Sequence, residues 1–280
     1  MNKITGLNNI GNTCYLNSAL QMLIQNKDLC NLINNNKTKT SNLNIISDFI
    51  DTYYSNLNQI TPNTIKKIIE IKNKIFIGNK QHDAAEFIIY FFDLINDDLQ
   101  NKIYSLYGIT SETKTKCKFL KCLTISKINE TNYYLILSID NKCLTLDDCY
   151  KKYKSYEKLK NENMYYCEKC NVKRNASKRL NIIKWSKHLI IWLKRFDNIN
   201  GRTNKNNQSI SIPINWRHNY TLKGAVIHSG SLYSGHYIYI SRNIKTNIWS
   251  LCNDSFISII QDSQINSYLN NAYLLYYIKI

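Results

Sequence analysis

Proline and glycine are scarce, 2 and 8 residues of 280. That leaves no room for a Pro/Gly-rich linker, and no internal repeat is visible. No apolar run reaches the roughly 18 residues of a membrane-spanning helix. The opening MNKITGLNNIGN lacks the apolar core of a secretory signal. Acidic residues are the under-represented charge, 20 against 37 Lys and Arg, which leaves a net charge of +17. Cysteine is not scarce, but its count of nine is odd. Without a signal sequence, an odd count argues against a disulfide framework and for free thiols or metal ligands. The expected setting is a reducing compartment, cytoplasmic or nuclear, with no membrane partner.

With 44% hydrophobic residues, a chain of this length buries a core of its own and is not disordered. Its lysines are spread along the whole sequence, with no dense Arg stripe and no nucleic-acid module. The basic balance is read as a solvated surface, and no specific nucleic-acid partner is expected.

Helical patterns occupy the first hundred residues. Leu16, Leu20, Leu23 and Ile24 share one face, with Asn12 or Thr13 available as N-cap. Leu43, Ile46, Phe49, Ile50, Tyr53 and Leu57 mark a second helix. Thr61-Pro62 starts a third, with proline at its first position. Ala84, Phe87, Ile88, Phe91 and Ile95 mark a fourth, behind an Asp83/Glu86 capping box. After about residue 110 the pattern changes to short strands rich in β-branched and aromatic residues: 133–139, 188–196, 220–227, 236–242 and 272–280. Helices first and strands second predict an α+β domain.

Cys14 stands between a glycine turn and the first turn of a helix, in GNTCYLNSALQML. A thiol beside free N–H groups at the positive end of a helix dipole favours its thiolate. A nucleophile also needs a base. Of the five histidines, His236 is the best placed, after the flexible GSLYSG and at the start of a strand. His188 reads as structural, His218 as surface, and His82 as a cap or contact before a helix; His228 remains a candidate. Asn253 and Asp254, in WSLCNDSFI, offer an amide or carboxylate to fix the imidazole tautomer. Cys167 and Cys170 form a two-spaced knuckle, and Cys117 and Cys122 a four-spaced pair upstream. Four thiolates suit tetrahedral zinc.

These motifs carry a family resemblance. GLNNIGNTCYLNSALQ (6–21) resembles the cysteine box of the ubiquitin-specific proteases. GNKQHDAAEFIIYFFDLI (78–95) resembles their Gln-Gln-Asp-Ala-x-Glu-Phe helix, with His82 replacing the second Gln. Residues 165–196 resemble the second zinc knuckle and the Leu-Lys-Arg-Phe strand, and 220–242 with 249–257 the histidine box. The boxes occur in the family's order.

The resemblance implies a single papain-like catalytic domain over 1–280: a helical thumb (1–109), zinc-ribbon-like fingers (110–185) and a β-rich palm (186–280). It implies a thiol-dependent ubiquitinyl hydrolase that cuts after the terminal glycine of ubiquitin through a thioester. Cys14 falls on the nucleophile, His236 on the base, Asn253 on the third catalytic position, Asp254 on an assisting acidic position and Asn9 on the oxyanion donor. Gln81, Asp83, Glu86 and Tyr237 match positions against the ubiquitin tail, and the loop 230–235 one that covers it. Cys117, Cys122, Cys167 and Cys170 would hold a structural zinc; no catalytic cofactor is implied. Expected partners are ubiquitin and ubiquitinated proteins, and the expected state is a monomer. The alternatives are a protease for another ubiquitin-like modifier and an inactive ubiquitin-binding module.

Overall fold

The computed structural model describes residues 3–55, 57–199, 202–231 and 234–280. The described residues form helices α1 Cys14–Ile24, α2 Lys27–Asn34, α3 Ser41–Tyr53, α4 Asn63–Lys72, α5 Ala84–Asn96, α6 Ile103–Tyr107, α7 Leu146–Tyr153 and α8 Asp262–Leu269. All four helices expected from periodicity are present as α1, α3, α4 and α5. Two details differ. Pro62 takes the N-cap position of α4 rather than its first turn. Leu57 lies past the end of α3 and is exposed. The sequence reading missed α2, because two turns carry only the narrow stripe Leu29, Cys30 and Ile33. Its start is nonetheless well made: the Asn26 side chain accepts from the Asp28 and Leu29 amides.

Helix α1 is buried on every side, as a helix at the centre of a core must be. It packs on α5 and on the strand Gly235–Arg242. Gln21 is bonded at both ends of its side-chain amide. The Gln21 amide donates to Thr5 O at 2.7 Å and its carbonyl accepts from the Tyr53 hydroxyl at 2.6 Å.

The principal sheet has eight strands. Seven run in the order Phe256–Ile260, Trp249–Asn253, Gly235–Arg242, Tyr220–Gly230, Ala272–Lys279, His188–Lys194 and Tyr134–Ser138, with Asn215–Trp216 beside Tyr220–Gly230. All pairs are antiparallel except the last, where Tyr134–Ser138 runs parallel to His188–Lys194. All five strands expected from the sequence belong here. Strand His188–Lys194 shows the period of two: Leu189, Ile191 and Leu193 face one core with α7, and Ile190 faces the other with the helices. Just after it, Arg195 is 2% exposed and donates to the carbonyls of Ala272, Asn206, Gln208 and Asn270. It ties the strand end to two loops through backbone acceptors.

A second, four-stranded antiparallel sheet projects from this body, in the order Ile125–Asn132, Ile109–Cys117, Ala176–Lys184 and Glu157–Leu159. Between its strands the chain detours through Tyr134–Ser138 and α7 in the main body. Among the described residues no helix is long and apolar enough to cross a membrane.

Candidate active site

Two neighbours hold the segment before Cys14. Gly6–Leu7 pairs in parallel with Gln59–Ile60, and the Leu7 amide donates to Asp254 O at 2.9 Å. The chain then turns through Gly11 (φ 110°) and Asn12 (φ 53°), both left-handed. A Cβ on Gly11 would also lie 2.7 Å from the Asn79 side chain, so glycine is required there. Thr13 occupies the N-cap position of α1, but its side chain does not cap the helix. Its hydroxyl accepts from the Ile10 amide at 3.0 Å instead. Neither N-cap candidate, Asn12 or Thr13, therefore caps α1: the Asn12 amide donates to Asn79 O at 2.7 Å. The first-turn amides have no acceptor within the helix and face outward beside Cys14 with the positive end of the dipole. Cys14 itself is 3% exposed, so its sulfur lies on the floor of the site.

His236 is the second residue of its strand, and that strand pairs with Trp249–Asn253 from Tyr239 and Cys252 onward, so His236 and Asn253 lie near the same end of the pair. The ring Nε2 lies 2.6 Å from Asn253 Oδ1. A carbonyl oxygen only accepts, so Nε2 carries the proton and the basic nitrogen is Nδ1, available to the thiol. The His236 pKa is raised to about 9. The main cause is hydrogen bonding with Cys14; burial opposes it, and Asn253 and the charge of Asp254 add to it. The ring is thus an imidazolium at neutral pH.

Asp254 does a different job. Its Oδ2 accepts from the Asn9 amide at 2.9 Å and its Oδ1 from the Asn17 amide at 2.8 Å. Asn17 also donates to Leu7 O at 3.1 Å. The Asn9 carbonyl accepts from the Gly11 and Thr13 amides, both at 3.1 Å. Asp254 therefore braces the segment that holds Asn9, while Asn253 serves the imidazole. Sequence reasoning did not find Asn17. The signal was there: a polar residue three positions after the cysteine, on a helix that is mostly apolar.

Gln81, Asp83, Glu86 and Tyr237 converge between the start of α5 and the start of strand Gly235–Arg242. The Gln81 amide donates to Gly235 O at 3.0 Å and its carbonyl accepts from Gly235 N at 3.1 Å. Asp83 caps α5 through the Ala85 and Glu86 amides. It also accepts from the Tyr273 hydroxyl at 2.5 Å and the Tyr237 hydroxyl at 3.5 Å. Burial raises its pKa against those bonds. Glu86 is exposed in the first turn of α5, and its pKa is also raised, by partial desolvation of its carboxylate and then by Asp83. In the loop 230–235, Leu232 and Tyr233 lie outside the described residues.

The other histidines are accounted for. His188 is bonded on both nitrogens, to Asp28 and to the Tyr276 hydroxyl, each at 2.8 Å. His218 is exposed beside Trp185. His82 packs edge-on against Tyr15 at 5.2 Å and near Phe76 at 4.9 Å. His228 is buried, packs at a tilt against Tyr237 at 4.4 Å and has its pKa pushed down to about 4, first by burial and then by Lys205 and His236. It stays neutral and forms a wall behind Gly235.

Cys117, Cys122, Cys167 and Cys170 place their sulfurs within 4.8 Å of one another at the end of the four-stranded sheet. Cys122 and Cys167 lie 3.6 Å apart, close to the ~3.8 Å edge of a tetrahedron with Zn–S bonds of about 2.3 Å. The Cys122 thiol is lowered to about 6, chiefly by the Thr124 hydroxyl. Four soft donors in this arrangement fit a structural metal. A separate cavity of about 1300 Å³, lined by Lys3, Lys27, Asp28, Lys223 and Phe256 among others, includes neither Cys14 nor His236.

The family model "Ubiquitin carboxyl-terminal hydrolase" matches residues 5–277. The chain belongs to that family, whose members bear the name of a hydrolase acting at the ubiquitin C-terminus. Among curated relatives, ubiquitin carboxyl-terminal hydrolase 48 of Danio rerio is 30% identical over 94% of this chain and 28% of its own length. Probable ubiquitin carboxyl-terminal hydrolase 16 of Schizosaccharomyces pombe is 28% identical over 97% of this chain and 66% of its own length. The chain thus spans less than a third of the first relative and about two thirds of the second. Among solved structures, Ubp8 in the SAGA DUB module bound to monoubiquitin superposes with a TM-score of 0.85 at 25% identity, covering 98% of this chain and 68% of that one. The same module bound to ubiquitin aldehyde gives 0.81 at 26% identity, covering 98% and 69%.

Proposed function

We propose that the protein is a deubiquitinating cysteine protease with Cys14 as nucleophile, His236 as general base and Asn253 as the group that orients it. The observation that carries this reading is the chain of contacts from the buried head of α1 through an imidazolium to an amide oxygen. Cys14 attacks the carbonyl of ubiquitin's terminal glycine. The negative charge that develops on that oxygen is met by the Asn9 amide and the free amides at the start of α1; one such donor is worth about 3 kcal/mol. His236 gives its proton to the leaving lysine amine. Water, deprotonated by the same ring, then hydrolyses the thioester.

On this reading residues 1–109 are the thumb, 110–185 the fingers and 186–280 the palm of one catalytic domain. Gln81, Asp83, Glu86 and Tyr237 border the groove for the ubiquitin tail, and the acid pair suits its arginines. The Ubp8 neighbours bound to monoubiquitin and to ubiquitin aldehyde support ubiquitin as the partner. Their module also contains Sgf11, Sus1 and Sgf73, so the relative works in an assembly rather than as the monomer expected from this sequence. Zinc on the four cysteines would brace the fingers; with four thiolates it has no open position for chemistry. The reading places the chain in a reducing, cytoplasmic or nuclear setting, where Cys14 stays a free thiol.

The test is reaction of the full chain with a ubiquitin carrying a C-terminal electrophile, with the modified residue mapped by mass spectrometry. The expected adduct is on Cys14. An adduct on another cysteine, or none while the protein is folded, rejects the assignment.

A further inference from the structure

The four-stranded sheet gathers its uncompensated positive charge on one face. Residues 109–132 and 155–184 hold thirteen of the 37 Lys and Arg but only five of the 20 acids, so 54 residues carry nearly half the net charge. Strand register sorts these side chains, because directly paired residues project to the same side of a sheet. Lys114 is paired with Lys127 on one neighbour and with Arg179 on the other. One step along, Lys116 is paired with Ser177, which is paired with Lys158. Five cations therefore share one face, with Glu112 as its acid, 2.8 Å from Lys114. The opposite face carries Lys178 paired with Glu157, and Glu130 paired with Ser111.

Like charges placed directly opposite destabilise a sheet, so two such pairs in one row call for an anion. An aromatic ring adjoins the row. Tyr156, just before the edge strand, is 67% exposed and lies under the Arg179 guanidinium at 4.9 Å. Arg179 is held there by Lys154 O at 3.1 Å and the Tyr156 hydroxyl at 3.3 Å. A cation field flanked by an exposed ring suits a phosphate backbone with a base to stack. An acidic peptide would use the charges and leave the ring idle.

We propose that this face binds single-stranded nucleic acid without sequence preference, with its phosphates on Lys114, Lys116, Lys127, Lys158 and Arg179 and a base against Tyr156. The solvated-surface reading of the sequence did not see this, because the lysines are scattered in sequence and are gathered only by register.

The test is fluorescence anisotropy of the full chain with a labelled oligothymidylate across a salt series. Each phosphate contact on a single strand contributes about −0.7 to the slope of log K against log salt, so five contacts give roughly −3.5. Lys114→Gln, Lys127→Gln and Lys158→Gln should each make the slope shallower by about 0.7. Tyr156→Ala should weaken binding about tenfold or more with the slope unchanged. Lys178→Gln, on the opposite face, should change neither. Lys114→Gln should melt no lower than the parent, since it relieves like-charge pairing. Three results would overturn the proposal: no salt-dependent binding by the parent chain, equal slope losses for Lys178→Gln and Lys114→Gln, or displacement by polyglutamate as effective per charge as by unlabelled oligothymidylate together with an inert Tyr156→Ala. The last would mean an acidic protein surface instead.

Discussion

The Asp254 carboxylate accepts the Asn9 amide at 2.9 Å and the Asn17 amide at 2.8 Å, and so belongs to the segment in front of Cys14 rather than to the imidazole. Its neighbour Asn253 takes the His236 ring at 2.6 Å. Two adjacent residues thus serve two different parts of the site, and substituting each should have a different signature.

Asn253→Ala should lower kcat by about a hundredfold or more with a smaller change in KM, because it frees the ring that moves the proton. Steady-state hydrolysis of a ubiquitin C-terminal fluorogenic amide measures this. An unchanged kcat would remove Asn253 from the proposed mechanism.

Asn9→Ala should cost about 10²- to 10³-fold in kcat as an oxyanion donor is lost. Asp254→Ala should follow it in kcat and also lower the melting temperature, since it strands two amides in a part-buried site. If Asp254→Ala matched Asn253→Ala in its pH profile while leaving stability untouched, the bracing role would be wrong.

The pH dependence follows from His236. Its pKa is raised from 6.5 to about 9, so the imidazolium and any stability it confers are fully present below pH 6.5 and are lost as pH rises through about 9. The alkaline limb of kcat/KM should therefore have an apparent pKa near 9. In Cys14→Ala the main cause of the shift is gone, and the ring should titrate closer to its ordinary range by NMR. An unmoved titration would mean that thiol and ring are not paired.

Asp83 separates a structural role from a binding role. Asp83→Asn keeps the cap on α5 and should leave the melting temperature nearly unchanged, whereas Asp83→Ala should cost about 1 kcal/mol from the lost cap. Both should raise KM for the ubiquitin substrate. A KM unchanged in both would confine Asp83 to its structural contacts with α5, Tyr237 and Tyr273.

Native mass spectrometry of the chain should show one zinc. Cys170→Ser should lose it and lower the melting temperature without altering the alkaline limb at His236. A folded parent chain free of metal would retire the site.

Much of the fold was legible before any coordinates. Apolar periodicity placed α1, α3, α4, α5 and all five expected strands, because each has a long stripe or a dense β-branched run. It missed α2, whose eight residues give periodicity too little length to act on. It also assigned a cap to the start of α1, where the Thr13 hydroxyl turns back to Ile10. Asp83 with Glu86 was read as a two-way capping box; the bonds found run from the Ala85 and Glu86 amides to Asp83. The reciprocal box is at Thr145 and Asp148, ahead of α7.

Of the site, the sequence alone determined the chemistry available: a thiol at a helix start, a histidine at a strand start, an amide beside a carboxylate, and four paired cysteines. Spacing and residue type are local properties, and local patterns carry them. Only the tertiary structure decided that Asn253 faces the ring while Asp254 faces Asn9 and Asn17, that His228 is a neutral wall, and that five scattered cations share one face. A hydrogen-bond partner or a sheet face depends on register between segments far apart in sequence, and register is fixed by how the cores pack.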